Sequence, residues 1–367
     1  MDLFGDLPDP AGDQQKASQS GTKLSKSSEP EQHVAPVIAK RKSDAMDSDP
    51  SPEHGKQKPR LEDSGHVFQL RSFVADRKGE REEMQDAYIQ LDDYSKMFKE
   101  LHPSIHRLAL YAVFDGHGGS RASRFASQYL HKILCDKFPK GDVSAVEKEI
   151  KKCLIEVFKK LDEDFLKEAA RQKPTWKDGT TAVVVLVINN TLFIANLGDS
   201  KDEAFANELL EEWITRVVVY KEDEKKYVAV PLTTDHSPSV YAERMRIQKA
   251  GGFVRDGRVM GVLEVSRSIG DGPYKNHGVT CLPDIKRCQL TSSDRFIMIA
   301  CDGLWKSFSM DESIQFVNNV LQDETIHATD RRSAEEVRYD TSCSRLANTA
   351  VLRLSGDNVT VLIVSVK

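Results

Sequence analysis

An almost unbroken apolar run, Leu108-Ala109-Leu110-Tyr111-Ala112-Val113-Phe114, stops at Asp115-Gly116-His117-Gly118-Gly119. A short run with no polar interruption predicts a strand buried on both faces, and a buried strand fixes the exit direction of whatever lies at its end. Phe296-Ile297-Met298-Ile299-Ala300-Cys301 stops in the same way at Asp302-Gly303. Two such strands can aim two carboxylates into one cleft, which is how a hard metal ion is held. One Asp-Gly pair alone is an ordinary turn, since Gly takes positive φ and Asp caps its own backbone. The argument therefore rests on how many acids are placed alike.

The 367 residues allow one large domain or two small ones. A net charge of −5 gives no reason to expect nucleic acid or an anionic membrane as partner. No apolar run approaches the ~20 residues of a membrane helix. The six cysteines, at 135, 153, 281, 288, 301 and 343, form no C-x-x-C pair and read as reduced thiols of an intracellular protein. Met1-Asp2-Leu3-Phe4-Gly5-Asp6 is not a basic-then-apolar leader. The expectation is a cytoplasmic protein, with Lys40-Arg41-Lys42 and Lys56-Gln57-Lys58-Pro59-Arg60 leaving nuclear import open.

Residues 1–65 are rich in Ser, Pro, Gly, Lys, Asp and Gln, and their sparse apolar residues predict a disordered tail. The folded domain is expected over 66–367. Its first strand is read at Phe73–Arg77, and a charged turn leads through Gly79–Gln85 into the next strand. Ala122, Phe125, Ala126, Tyr129, Leu130, Ile133 and Leu134 keep helical spacing, as do apolar positions from Val146 to Leu166. Hairpins are predicted over 182–196, 217–230 and 253–259, the last with an Asp-Gly turn. A helix is read from Ser237-Pro238 to Gly251-Gly252, and Ser309-x-x-Glu312 and Ser333-x-x-Glu336 predict capping boxes for two more. Strands come in runs joined by short turns and helices come in pairs. That predicts α+β architecture, with antiparallel sheets and helices outside.

Six acids, Asp86, Asp115, Asp199, Asp271, Asp302 and Asp357, fall at strand ends or turns across the whole of that domain. Clustered carboxylates repel, and their pKa values rise unless a cation neutralises them. Oxygen donors select Mg2+ or Mn2+ over zinc, and several acids suggest two ions ~3.5–4 Å apart sharing an activated water.

Asp115-Gly116-His117-Gly118-Gly119, Val265-Ser266-Arg267-Ser268-Ile269-Gly270-Asp271, Ala300-Cys301-Asp302-Gly303-Leu304-Trp305 and Asp357-Asn358 resemble, in order, the motifs of the metal-dependent type 2C serine/threonine protein phosphatases. The resemblance spans residues 73–366. It implies a four-layer α-β-β-α sandwich, a monomer, and phosphoprotein substrates met within a kinase-associated complex. It implies that Asp115 bridges two Mn2+ or Mg2+ ions, that the Gly116 carbonyl holds one, and that Asp271, Asp302 and Asp357 hold the other. Asp86 would act through a water, and Asp199 would help hold a third, weaker ion. Arg81 matches the phosphate-binding arginine, whose fork of donors suits a phosphoryl group. His117 matches the general acid for the leaving Ser or Thr oxygen.

Two departures stand out. Gln85 occupies a position where the family has Glu. Lys201 follows Gly198-Asp199-Ser200 where Arg is usual, and residues 201–215 read as an insertion before the next strand. A cysteine phosphatase is the first rival, because Cys281…Arg287 fits C-x5-R, yet no glycines there could form an anion nest. An inactive phosphatase-fold scaffold is the other, and buried acids would be idle in it.

Overall fold

The computed structural model describes residues 67–198, 216–223, 226–234 and 236–367, all within the compact unit Asp63–Lys367. The predicted tail 1–65, Asp199 and the segment 201–215 lie outside the described residues. In chain order the elements are β1 (Leu70–Arg77), β2 (Ala87–Leu91), β3 (Leu108–Phe114), β4 (Gly116–His117), α1 (Arg121–Lys137), α2 (Val143–Arg171), β5 (Gly179–Thr180), β6 (Ala182–Ile188) and β7 (Thr191–Leu197). Then come β8 (Arg216–Asp223), β9 (Lys226–Pro231), α3 (Tyr241–Lys249), β10 (Val254–Arg255), β11 (Arg258–Val259), β12 (Ile269–Gly270), α4 (Gly272–Lys275) and β13 (Asp284–Gln289). The chain closes with β14 (Asp294–Ala300), α5 (Asp302–Trp305), α6 (Met310–Leu321), α7 (Ala334–Leu352) and β15 (Val359–Val366).

Two five-stranded antiparallel sheets carry the molecule, ordered β1-β15-β14-β8-β9 and β13-β7-β6-β3-β2. Strand periodicity explains the four layers. In β3, Leu108, Leu110, Ala112 and Phe114 face α1 and α2 in one core. The alternate residues Ala109, Tyr111 and Val113 meet Ile297, Ile299, Leu362 and Val364 of the opposite sheet in a second. On the far side, Met298, Ala300, Val361 and Ile363 pack on α6 and α7. A central strand must satisfy a helix layer on one side and a sheet on the other, so it has no polar face. The result is the expected α-β-β-α sandwich.

The capping signals are legible in the structure. At α7 the full box forms, with Ser333 Oγ accepting Glu336 N–H and Ser333 N–H donating to Glu336 Oε2. At α6, Ser309 Oγ accepts Glu312 N–H at 3.2 Å. The helix expected from Ser237-Pro238 begins later. Val240 N–H bonds Ser237 O at 3.0 Å, closing a turn, and α3 starts at Tyr241. Strand β13 was not foreseen: Asp-Ile-Lys-Arg-Cys-Gln is a sheet edge with mostly exposed side chains, so no apolar run marks it.

A buried ion network ties α3 to the chain leading into β12 and to β13. Glu243, 3 % exposed, accepts Arg267 Nη2 at 2.7 Å, Arg246 Nη2 at 2.7 Å and Ser266 Oγ at 2.6 Å. Arg267 also reaches Asp284 Oδ1 at 2.8 Å. Burial opposes the charge on Glu243, but the donors from Arg267, Arg246 and Ser266 outweigh it and hold the carboxyl at about 2. A depressed folded pKa contributes stability above the unfolded value, and that stability fades as pH falls from 4.5 towards about 2. Glu243→Gln leaves two guanidinium groups short of a partner and is expected to cost about 3–5 kcal/mol at pH 7. Urea midpoints should show that gap narrowing at pH 4, and an equal gap at both pH values would exclude this source of stability.

Candidate metal centre

The site forms where both sheets end. In one sheet the last pair of β2 and β3 is Ala87↔Phe114, so Asp86 and Asp115 follow side by side. In the other, β14 and β15 pair through Ala300↔Val361, and Cys301 N–H continues to Thr360 O at 3.2 Å. Thr360 Oγ1 then crosses between the sheets to Asp86 Oδ2 at 2.7 Å. One ligand atom each of Asp86, Asp115 and Cys301 lie within 4.8 Å of one another. The Asp115 carbonyl is pinned by Thr181 N–H and Thr180 Oγ1, each at 2.9 Å.

Asp302 opens α5, and Asp357 stands just before β15. Gly303 keeps these backbones in contact: a Cβ there would lie 1.9 Å from the Asn358 carbonyl. Asn358 organises the loop above. Its Nδ2 donates to Lys78 O at 2.7 Å and Glu83 O at 3.0 Å, and its Oδ1 accepts Gln85 N–H at 2.8 Å. That loop carries Arg81, whose Nη2 lies 3.0 Å from Asp357 Oδ2. Gln85 takes part through its backbone, which explains why loss of the acid expected there leaves the loop in place. Lys306 reaches both remaining acids, Asp357 Oδ2 at 2.7 Å and Asp302 Oδ2 at 3.0 Å.

His117 and Asp271 form the neighbouring pair. The short strands β12, β5 and β4 lie in that order, placing His117, Gly179 and Gly270 in one row. His117 Nε2 meets Asp271 Oδ2 at 2.7 Å, directly over Gly179, where a Cβ would come within 2.3 Å of both atoms. Asp271 thus engages His117, whereas Lys306 binds Asp302 and Asp357. Gly116 is buried in β4 beside this pair.

The electrostatics are those of a cation site. Burial pushes Asp86 up to about 7, against hydrogen bonds from Thr360 and Cys301 and with help from Asp302 and Asp357. Burial, then Asp302, Asp86 and Asp357, push Asp115 well above the carboxylate range. Burial also raises Asp302, although Lys306 works against it. Burial pushes likewise on Asp357, but Lys306 and Arg81 outweigh it and hold that carboxyl low. Asp302 Oδ1 is buried with no hydrogen-bond partner. Burial and three neighbouring acids keep the Cys301 thiol protonated, so the donors on offer are oxygens. Orphaned oxygen and raised carboxylates together fit Mg2+ or Mn2+. At His117 burial disfavours the imidazolium, yet Asp271, Glu264 and Asp178 outweigh it and raise the pKa above its ordinary value.

The C-x5-R rival fails on this geometry. Burial raises the Cys281 thiol to about 11, and Arg287 is spent on Glu147 at 2.8 Å. Asp199, expected to hold a third ion, lies outside the described residues, although Gly198 N–H before it donates to His236 Nδ1 at 3.2 Å. Sequence reasoning missed Asn358 as the organiser and Lys306 as the bound cation. The first was signalled by an amide directly after a strand-end acid, the second only by its place one helical turn after Asp302.

The sequence profile described as protein phosphatase 2C matches residues 71–205 and 214–359. A Bos taurus integrin-linked kinase-associated serine/threonine phosphatase 2C is 47% identical over 382 residues, covering 100% of each chain. The Homo sapiens protein of the same name is 52% identical over 328 residues, covering 89% of this chain and 80% of its own. Among solved structures, a C. elegans sex-determining protein superposes with a TM-score of 0.64 at 26% identity, covering 81% of this chain and 64% of that one. A serine-threonine phosphatase 2C from Toxoplasma gondii gives 0.61 at 18% identity, over 82% and 95%, a likeness of fold.

Gly303→Ala would force the Asn358 backbone away and part Asp302 from Asp357. Mn2+ binding by calorimetry should weaken by more than about tenfold with the circular dichroism spectrum unchanged; undiminished affinity would show that this contact does not set the ligand geometry.

Proposed function

The chain belongs to the protein phosphatase 2C family, and from that premise we propose that it hydrolyses phosphoserine and phosphothreonine in proteins, using a pair of Mn2+ or Mg2+ ions. The observation that carries this reading is the convergence of Asp86, Asp115, Asp302 and Asp357 with an orphaned buried oxygen. Asp115 would help hold both ions, the Gly116 carbonyl one of them, and Asp302, Asp357 and Asp271 the other, with Asp86 acting through water and Asp199 serving a weaker third. Bound there, the ions supply Lewis-acid polarisation and lower the pKa of an attacking water.

The chain's own groups do the rest. Arg81, half exposed at the rim, offers its guanidinium fork to the phosphoryl oxygens. His117 donates its proton to the departing Ser or Thr oxygen, and Asp271 holds the imidazole towards that task. An inactive scaffold would have no use for buried acids with raised pKa values, so the hydrolase reading is favoured. The folded domain is taken as 66–367, with 201–215 an insertion. By analogy with the named relatives, a kinase-associated complex is the setting proposed, in cytoplasm or nucleus, with the protein a monomer that binds neither nucleic acid nor membrane. No helix among the described residues is long and apolar enough to cross a membrane.

Purified protein should cleave p-nitrophenyl phosphate with Mn2+ and stop with chelator. Asp115→Ala and Asp302→Asn should each lower kcat by at least ~10²-fold, and metal-independent turnover would refute the proposal. His117→Ala should slow a phosphoserine peptide by ~10²-fold or more, while p-nitrophenol needs no proton to leave and its release should change little. Because the His117 pKa is raised, wild-type peptide turnover should fall as pH rises through that value, and the variant should lose this limb. Equal losses on both substrates would remove His117 from the acid role.

A further inference from the structure

Asp357 has almost no coordination capacity left. Its Oδ1 accepts the Asn358 N–H at 2.8 Å, and its Oδ2 accepts both Lys306 Nζ at 2.7 Å and Arg81 Nη2 at 3.0 Å. Three of roughly four lone-pair directions are therefore taken. Asp302 differs: Oδ2 meets Lys306 at 3.0 Å, while Oδ1 is buried and unpartnered. A divalent ion meets one cation, Lys306, at Asp302, where the carboxyl also lies against Asp115, but it must contend with two cations at Asp357.

The two cations are not equivalent. Arg81 is 55% exposed and rides on a loop, so it can swing into water. Lys306 is 23% exposed and follows directly on α5, where its own N–H bonds Asp302 O at 2.8 Å. Its ammonium is fixed by the same short helix that presents Asp302. No other ammonium or guanidinium among the described residues bridges these two acids.

We propose that Lys306 is a resident counter-cation of the metal-free centre, which holds Asp302 and Asp357 together until a divalent ion arrives and which competes with that ion for Asp357. The inference rests on the metal reading above and adds a determinant of metal affinity to it. In the metal-free protein the ammonium offsets the repulsion between two carboxylates in a partly dry site. On loading, it must yield Asp357 Oδ2 and share the cleft with a like charge. Occupancy by lysine and occupancy by the ion therefore oppose each other, by linkage.

The test is Mn2+ titration followed by electron paramagnetic resonance, with thermal melts with and without metal, on wild type, Lys306→Met and Lys306→Arg. Methionine keeps the length and removes the charge. It should tighten Mn2+ binding by at least about tenfold, lower the metal-free Tm, and enlarge the Tm gain on adding Mn2+. Arginine keeps the charge and should leave affinity near wild type, which also serves if the methionine variant does not fold without metal: a tenfold change on Lys306→Arg would then count against charge competition. Unchanged or weaker Mn2+ binding by a folded Lys306→Met would overturn the inference and leave the metal reading standing. A wild-type chain that binds no Mn2+ would remove both.

Discussion

Mutual repulsion among carboxylates is the constraint that shapes this site. Asp86 and Asp115 leave one sheet, Asp302 and Asp357 the other, and all four converge on a volume too small and too dry for four negative charges. Such a set persists only if the backbone over-determines it and a cation is at hand. Strand pairing supplies the first. The register that sets Ala87 against Phe114, and Ala300 against Val361, leaves the acids nowhere else to go.

The same logic explains why the sandwich has four layers. A strand that must deliver a carboxylate with sub-ångström reproducibility needs both faces packed, and β3 has every residue buried. Helices cover the outer face and the second sheet covers the inner one. Each sheet thereby becomes the other's support, and the acids gather where both sheets end. Glycines mark where backbones approach: Gly303 against Asn358, and Gly179 beneath the His117–Asp271 pair.

Much of this was legible in the chain. The apolar runs ending at Asp115 and Asp302 identify buried strands because burial on both faces erases alternation. The serines at 309 and 333 mark helix starts because cap chemistry is local. What could not be read is what depends on partners distant in sequence. Strand β13 is an exposed edge whose Asp-Ile-Lys-Arg-Cys-Gln pattern carries no period strong enough to declare it. Asn358 looks like half of a turn until the loop 78–85 is seen hanging from its amide. The pairing of Asp271 with His117 depends on three two-residue strands, each too short to leave a pattern.

Lys306 shows the limit most clearly. In sequence it is one lysine after an aromatic residue, and the bland expectation is a solvated side chain. Its position four residues after Asp302 places the two on one helical face, but only the pairing of β14 with β15 brings Asp357 to the same spot. On the metal reading proposed above, a cation supplied by the chain and a cation drawn from solution meet the same carboxylates. The affinity of the centre is accordingly a difference between two occupants, and the geometry of the acids alone does not determine it. A site assembled from acids can be recognised from sequence by their placement; how tightly it holds an ion depends on which positive charge the fold has already put there.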